Sequence, residues 1–158
     1  MAIRILELGH VVLYVSNLNR SADFYRDILG FHEIVRGPGV AAFSSGRTHH
    51  ELLLIEVGPL RSREGEARGE PVRERTPKPG LYHIGFKIGD SPEDAKRVFR
   101  ELKKRQVPIV GTGDHGVTHS IYILDPDGNE LELYADVSDE WKRDPGAAMI
   151  PVQPLIFE

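Results

Sequence analysis

The sequence predicts an α+β fold: two βαβββ modules whose mixed sheets pair to form a barrel-like cavity. Three observations predict it. Apolar and polar residues alternate over several short runs, which is the period of half-buried strands. Two longer stretches place apolar residues at helical spacing. The order strand, helix, three strands then occurs twice: Gly9-His10-Val11-Val12, Phe24-Tyr25 and Leu29 in the first half answer to Tyr82-His83-Ile84-Gly85, Val98-Phe99 and Leu102 in the second. Each half alone has one buried sheet face and too few residues for a stable core, so the halves are expected to close on a shared cavity.

In chain order, Ile3 to Val15 reads as a strand. His10, Val12 and Tyr14 share one face, and Val11, Leu13 and Val15 share the other. Ser16-Asn17 offers helix caps, and Leu18 to Leu29 has apolar residues at 18, 22, 25, 28 and 29 before Gly30 stops the helix. Phe31–Val35 and Val40–Phe43 read as strands around Gly37-Pro38-Gly39, and Thr48 to Val57 as a longer one. These make a first module over 1–58. Residues 59–80 are rich in Arg, Glu, Pro and Gly and read as a solvated linker or lid.

The second module, 81–136, opens with a strand over Leu81 to Ile88. Ser91-Pro92-Glu93-Asp94 starts a helix with proline at its first position, and Ala95, Val98, Phe99 and Leu102 form its apolar stripe. A short strand near Pro108–Val110 leads to a glycine-rich loop holding Asp114-His115-Gly116. A hairpin follows. Its loop is Pro126-Asp127-Gly128, where proline presets the first turn residue and glycine supplies positive φ. That loop sets Asp125 opposite Asn129, Leu124 opposite Glu130 and Tyr122 opposite Glu132. Ser120, Tyr122, Leu124, Glu130, Glu132 and Tyr134 then share one face, and Ile121, Ile123, Leu131 and Leu133 form the core face. A phenol thus lies beside a carboxylate on the polar face. The tail, 137–158, with Trp141 and three prolines, reads as irregular cover for the cavity or a partner chain.

Composition narrows the functions. With 40% apolar and 28% charged residues and a net charge of −4, the chain has an ordinary globular make-up and no nucleic-acid footprint. No apolar run approaches the ~20 residues of a membrane span. Met-Ala-Ile-Arg lacks a signal-peptide pattern, so a cytoplasmic location is expected. Cysteine is absent, so any metal must be held by His and carboxylate.

Among seven histidines, His10 and His83 occupy matching places in the two halves. With Glu132 on the last strand they make a 2-His-1-carboxylate set, which leaves coordination positions open and suits Fe(II) chemistry with oxygen; the same ligands take Mn(II).

The layout and the string Tyr122-Ile-Leu-Asp-Pro-Asp-Gly-Asn-Glu-Leu-Glu132 resemble the vicinal oxygen chelate superfamily (glyoxalase, bleomycin resistance, extradiol dioxygenase) over roughly residues 5 to 136. Within it the chain looks most like a two-module type I extradiol ring-cleaving dioxygenase, similar to catechol 2,3-dioxygenases. The resemblance implies a metal on His10, His83 and Glu132, with His50, His115 and Tyr122 as catalytic residues. It implies His50 for proton transfer, a role its ordinary pKa near 6.5 suits. His115 and Tyr122 would hydrogen-bond the substrate oxygens. It further implies a small aromatic diol and O2 as substrates and a homodimer. Many such enzymes carry four modules, whereas this chain carries two. His49 and His50, adjacent on an expected strand, should face opposite ways, with His50 inward. His119 should face away from Tyr122, at the surface, and His32 should be structural on an edge strand.

Two rival readings remain open at this point. A glyoxalase-type isomerase would need a further carboxylate ligand on the last strand of the first module, for which Glu51 and Glu56 are candidates. A bleomycin-resistance-like binding protein would carry a cavity and no metal.

Overall fold

The computed structural model describes residues 5–59 and 80–157. The linker or lid expected over 59–80 therefore lies, apart from its two end residues, outside the described residues. The described residues fall into two compact units, one on each side of that stretch. Each carries a four-stranded mixed sheet and one main helix, so the chain is α+β and built of two modules.

In the first unit the elements are β1 (Val11–Val15), α1 (Leu18–Asp23), β2 (His32–Gly37), β3 (Val40–Ser44) and β4 (Leu52–Glu56). The sheet order is β1-β4-β3-β2, with β1 parallel to β4 and the other pairs antiparallel. The Asn17 side chain caps α1 by accepting from the Arg20 N–H at 2.9 Å. The helix does not run regularly to Leu29 as its spacing suggests: after Asp23 it widens into a π turn over Phe24–Ile28. That turn keeps Tyr25 wholly buried, edge-on to Phe24 and Phe31. Strand β1 is also shorter than the alternation suggests, because Ile5, Leu6 and Leu8 lie exposed ahead of it. Its two faces divide as expected: Leu13 and Val15 are buried, and Val12 and Tyr14 are exposed.

The second unit contains β5 (His83–Gly89), α2 (Pro92–Lys104), β6 (Ile109–Asp114), β7 (Thr118–Leu124) and β8 (Glu130–Asp136). Its order, β5-β8-β7-β6, with β5 parallel to β8, repeats the first sheet's connectivity. Ser91 caps α2 by accepting from the Asp94 N–H at 3.2 Å, with Pro92 at the helix start and Lys103 and Lys104 in the last turn. Ala95 and Leu102 on α2 and Ile121, Ile123, Leu131 and Leu133 on the sheet are buried. Each such Leu or Ile contributes about 1.5–3 kcal/mol relative to an exposed side chain. That apolar layer fills the helix side of the sheet, so the opposite side is where β5, β7 and β8 can present polar groups.

The hairpin loop closes as its residues dictate. Asp125 N donates to Asn129 O at 3.0 Å, and Gly128 takes φ +85°. The Asp125 carboxylate, itself buried, accepts from the N–H groups of Asp127 and Asn129 and from the Asn129 side chain. The pairing that follows is Leu124 to Glu130 and Tyr122 to Glu132, the register expected from the loop.

Strand β6 is longer than expected, since Gly111, Thr112 and Gly113 belong to it rather than to a loop. The reason is tertiary. The tail forms two 3₁₀ turns, Glu140–Lys142 and Pro145–Met149, and then lies along the β6 edge. Asp114 and Gln153 exchange backbone hydrogen bonds at 2.9 and 2.8 Å, the Thr112 hydroxyl donates to Leu155 O at 2.6 Å, and Phe157 stacks on Phe99 of α2. The tail thus covers an edge that would otherwise be unpaired. A Cβ on Gly113 would stand 2.8 Å from Val152, and one on Gly116 2.4 Å from Ile150, so glycine is what lets the tail approach.

Candidate functional site

The second unit brings four of the sequence-selected residues together, three of them on the side of its sheet away from α2 and the fourth, His115, in contact with Tyr122. In the parallel β5–β8 pair, His83 stands opposite Glu130 and Gly85 opposite Glu132; across β7–β8, Tyr122 stands opposite Glu132. Facing residues share a sheet face, so the register alone gathers His83, Tyr122, Glu130 and Glu132. A Cβ on Gly85 would be in ordinary contact with Glu132 Oε2, at 3.7 Å, and with the Tyr134 ring, at 3.5 Å.

Glu132 is the hub. Its Oε2 lies 3.1 Å from His83 Nε2. Its Oε1 accepts from the Ser120 hydroxyl at 2.6 Å and from the Tyr122 hydroxyl at 3.2 Å. His115 Nε2 is 2.9 Å from the same Tyr122 oxygen. Burial and the neighbouring Glu132 charge push the Tyr122 phenol well above its ordinary pKa, so it stays protonated and donates to the carboxylate. His115 then donates from Nε2 to the phenol oxygen. His115 itself is carried on the tight turn between β6 and β7. There its N–H donates to Thr118 O, and Gly116, at φ +77°, donates its N–H to the Asp114 side chain.

The first unit presents a histidine group of its own. The rings of His10 and His50 lie 4.6 Å apart, as do those of His49 and His50 at 4.5 Å. His49 Nδ1 is 2.6 Å from His50 Nδ1. The expectation that these two neighbours point opposite ways is therefore wrong. Strand β4 begins only at Leu52, and residues 45–51 fold back on themselves. The Glu51 carboxylate ties that loop by accepting from Ser45 N–H at 2.6 Å, Ser45 Oγ at 2.8 Å and Arg47 N–H at 3.2 Å. Off a strand, adjacent side chains are not bound to alternate. Partial burial, with His49 and His10 beside it, pushes the His50 pKa below its ordinary value, so His50 is neutral at pH 7.

Among the described residues, neither unit by itself gathers three His, Asp or Glu donors into a metal-holding group. What the second unit does supply is a pair suited to one. The 3.1 Å between His83 Nε2 and Glu132 Oε2 is the spacing of two adjacent ligands each about 2.1 Å from one octahedral cation. Two further residues escaped selection from the sequence. Ser120, wholly buried, anchors Glu132; Glu130, buried, has Oε1 3.7 Å from His83 Nδ1. Both were legible in principle from the hairpin register, which puts them on the Tyr122 face.

His119 departs from its expected place at the surface. It is on the face opposite Tyr122, as expected, but its side chain is only 19% exposed, with Nε2 3.8 Å from Asp114. His32 is exposed on the edge strand β2.

With this geometry in hand, the profile of the Glyoxalase/Bleomycin resistance protein/Dioxygenase superfamily matches residues 7–133. The chain belongs to that superfamily. A superfamily relative, the catechol-2,3-dioxygenase of Bacillus subtilis (strain 168), is 31% identical over 87% of this chain, which spans 44% of that relative. The chain thus covers less than half of that protein's length. The metallothiol transferase FosB of Staphylococcus epidermidis is 33% identical over 80% of this chain and 81% of its own length. A solved glyoxalase/dioxygenase superfamily structure from Nostoc punctiforme has the same fold, with a TM-score of 0.62 and 23% identity over 84% of this chain and 92% of that one.

Proposed function

We propose that the chain works as an extradiol dioxygenase, binding Fe(II), or Mn(II), through His10, His83 and Glu132, and opening a small aromatic diol with O2. The observation that carries this reading is the relay His115–Tyr122–Glu132, set directly beside His83. It holds a phenol and an imidazole beside the proposed ligands Glu132 and His83, so that a substrate oxygen on the same metal would compete for the hydrogen bond Tyr122 gives to Glu132.

Bound Fe(II) would supply the electron path between diol and O2 and acidify the diol hydroxyls. The residues of this chain do the rest. With Glu132 engaged on the metal, Tyr122, held protonated, would turn its hydroxyl from that carboxylate to a substrate oxygen as charge develops there, and His115 would steady the hydroxyl from Nε2. His50, kept neutral, takes a substrate proton; its Nδ1 faces His49, and Nε2 is the accepting atom in the tautomer whose Nδ1 donates to His49. In this reading the protein works as a homodimer without nucleic acid or membrane. Among the described residues no helix is long and apolar enough to cross a membrane.

Two observations weigh on the isomerase rival. Glu56 pairs with Val15 and so shares the buried face of Leu13 and Leu54, opposite Val12 and Tyr14. Glu51 lies just ahead of β4 and is committed to Ser45 and Arg47. A second reading, metal-dependent transfer of a thiol, is favoured by length alone: the chain spans 81% of FosB but 44% of the Bacillus dioxygenase.

The deciding experiment is an oxygen-uptake screen of anaerobically reconstituted Fe(II) protein over substituted catechols, run beside a thiol-addition assay. Stoichiometric O2 consumption with a yellow ring-opened product supports the dioxygenase. Thiol consumption without O2 uptake would replace it with the transferase.

A further inference from the structure

We propose that Glu130 is the positioning residue of His83: its buried carboxylate holds the proton on Nδ1 and so presents Nε2, the nitrogen beside Glu132, as the metal-binding donor. This rests on the metal-dependent reading above and deepens it.

The register places Glu130 directly opposite His83 on the parallel β5–β8 pair, on the same face. Glu130 is 7% exposed, an unusual place for a carboxylate. His83 Nδ1 is likewise buried and, among the described residues, has no hydrogen-bond partner. The two face each other, with Nδ1 3.7 Å from Oε1, while the other ring nitrogen faces Glu132 at 3.1 Å. The Nδ1 gap is roughly 0.8 Å longer than a hydrogen bond, a distance that a small rotation of either side chain removes.

The chemistry follows from the two ring nitrogens. A neutral imidazole carries one proton, and an acceptor at one nitrogen holds it there. Once a cation takes up Glu132, that carboxylate no longer accepts from Nε2; the Glu130 carboxylate then holds the proton on Nδ1, and the Nε2 lone pair is available to the cation. The same contact fixes the ring plane and raises the basicity of Nε2. Without Glu130, the proton would settle on Nε2, where Glu132 accepts it, and a metal would have to displace it.

The test uses the full chain with Co(II) as the titrant, followed by its absorption, and Zn(II)-loaded protein for nitrogen-15 NMR of the imidazoles. Glu130→Leu is expected to weaken Co(II) binding by about 10–100-fold. It should also move the His83 Nδ1–H resonance upfield and speed its exchange with solvent. Glu130→Gln, which keeps an acceptor oxygen but loses the charge, is expected to fall between the two and carries the test if the leucine variant does not fold. Co(II) affinity and an Nδ1–H signal unchanged by both substitutions would overturn the role of Glu130 and leave the metal site standing. A wild-type chain that binds neither ion would overturn this proposal together with the metal-dependent reading.

Discussion

Removing one oxygen atom, in Tyr122→Phe, probes the relay at its centre. The hydroxyl makes two contacts: it donates to Glu132 at 3.2 Å and lies 2.9 Å from His115 Nε2. The first involves a charge but is long, and the second joins a phenol to an imidazole, so each is worth about 1 kcal/mol net. Glu132 keeps its 2.6 Å bond from Ser120, so the carboxylate is not stranded. His115 loses its partner but is a quarter exposed, and water replaces part of that bond. The sum is a destabilisation of about 1–2 kcal/mol, or a fall in Tm of roughly 3–6 °C for a chain of this size. Metal content should be unchanged, since no proposed ligand is touched. Turnover should fall further than stability does, by about 10²–10³ in kcat, the usual cost of one donor aimed at a developing oxyanion. Calorimetry, metal analysis and steady-state oxygen uptake read the three quantities separately. A variant with wild-type Tm and wild-type kcat would refute the relay. One that lost its metal would show Tyr122 acting through Glu132 rather than on substrate.

Other consequences are reachable by simpler measurements. The Glu51 carboxyl is partly buried, which raises its pKa, but hydrogen bonds from the Ser45 N–H and hydroxyl more than offset this and hold it below the ordinary 4.5. Its contribution to stability is therefore present above about pH 4.5 and is lost as pH falls through the lower folded value. Urea unfolding from pH 6 to pH 3 should show Glu51→Gln with a flatter loss of stability than wild type, and parallel curves would contradict the assignment. Asp125→Ala strips three acceptor contacts from the hairpin loop and is expected to cost about 2–3 kcal/mol by denaturant titration. Gly116→Ala forces a Cβ into Ile150 at a positive φ. It should raise amide exchange over Ile150–Phe157 and cost about 1–3 kcal/mol, whereas an unchanged exchange pattern would show that the tail does not depend on that contact.

The parts of the fold and site legible in the sequence were those set by local rules. Pro126-Asp127-Gly128 dictates a loop length, loop length dictates register, and register puts Tyr122 against Glu132. The caps Asn17 and Ser91 and the apolar stripe of α2 were legible for the same reason. What was not legible depends on residues distant in sequence. Gly111 and Gly113 look like loop residues until the tail is laid along them. Thr48 to Glu51 looks like strand until Glu51 folds the chain back onto Ser45, which brings His49 and His50 together rather than apart. The π turn after Asp23 conserves the apolar spacing but not the hydrogen-bond ladder, and spacing alone does not reveal it. Glu130 was placed on the correct face, yet the nitrogen it faces, Nδ1 of His83, comes from a strand 47 residues earlier, and no local signal names it.

Metal occupancy tests the central claim most directly. The chain, purified without oxygen and loaded with Fe(II), should retain one iron after desalting, and Glu132→Ala and His83→Ala should each retain close to none while staying folded. Full iron in either variant would contradict the assignment of the His83–Glu132 pair as the metal-holding end of the site.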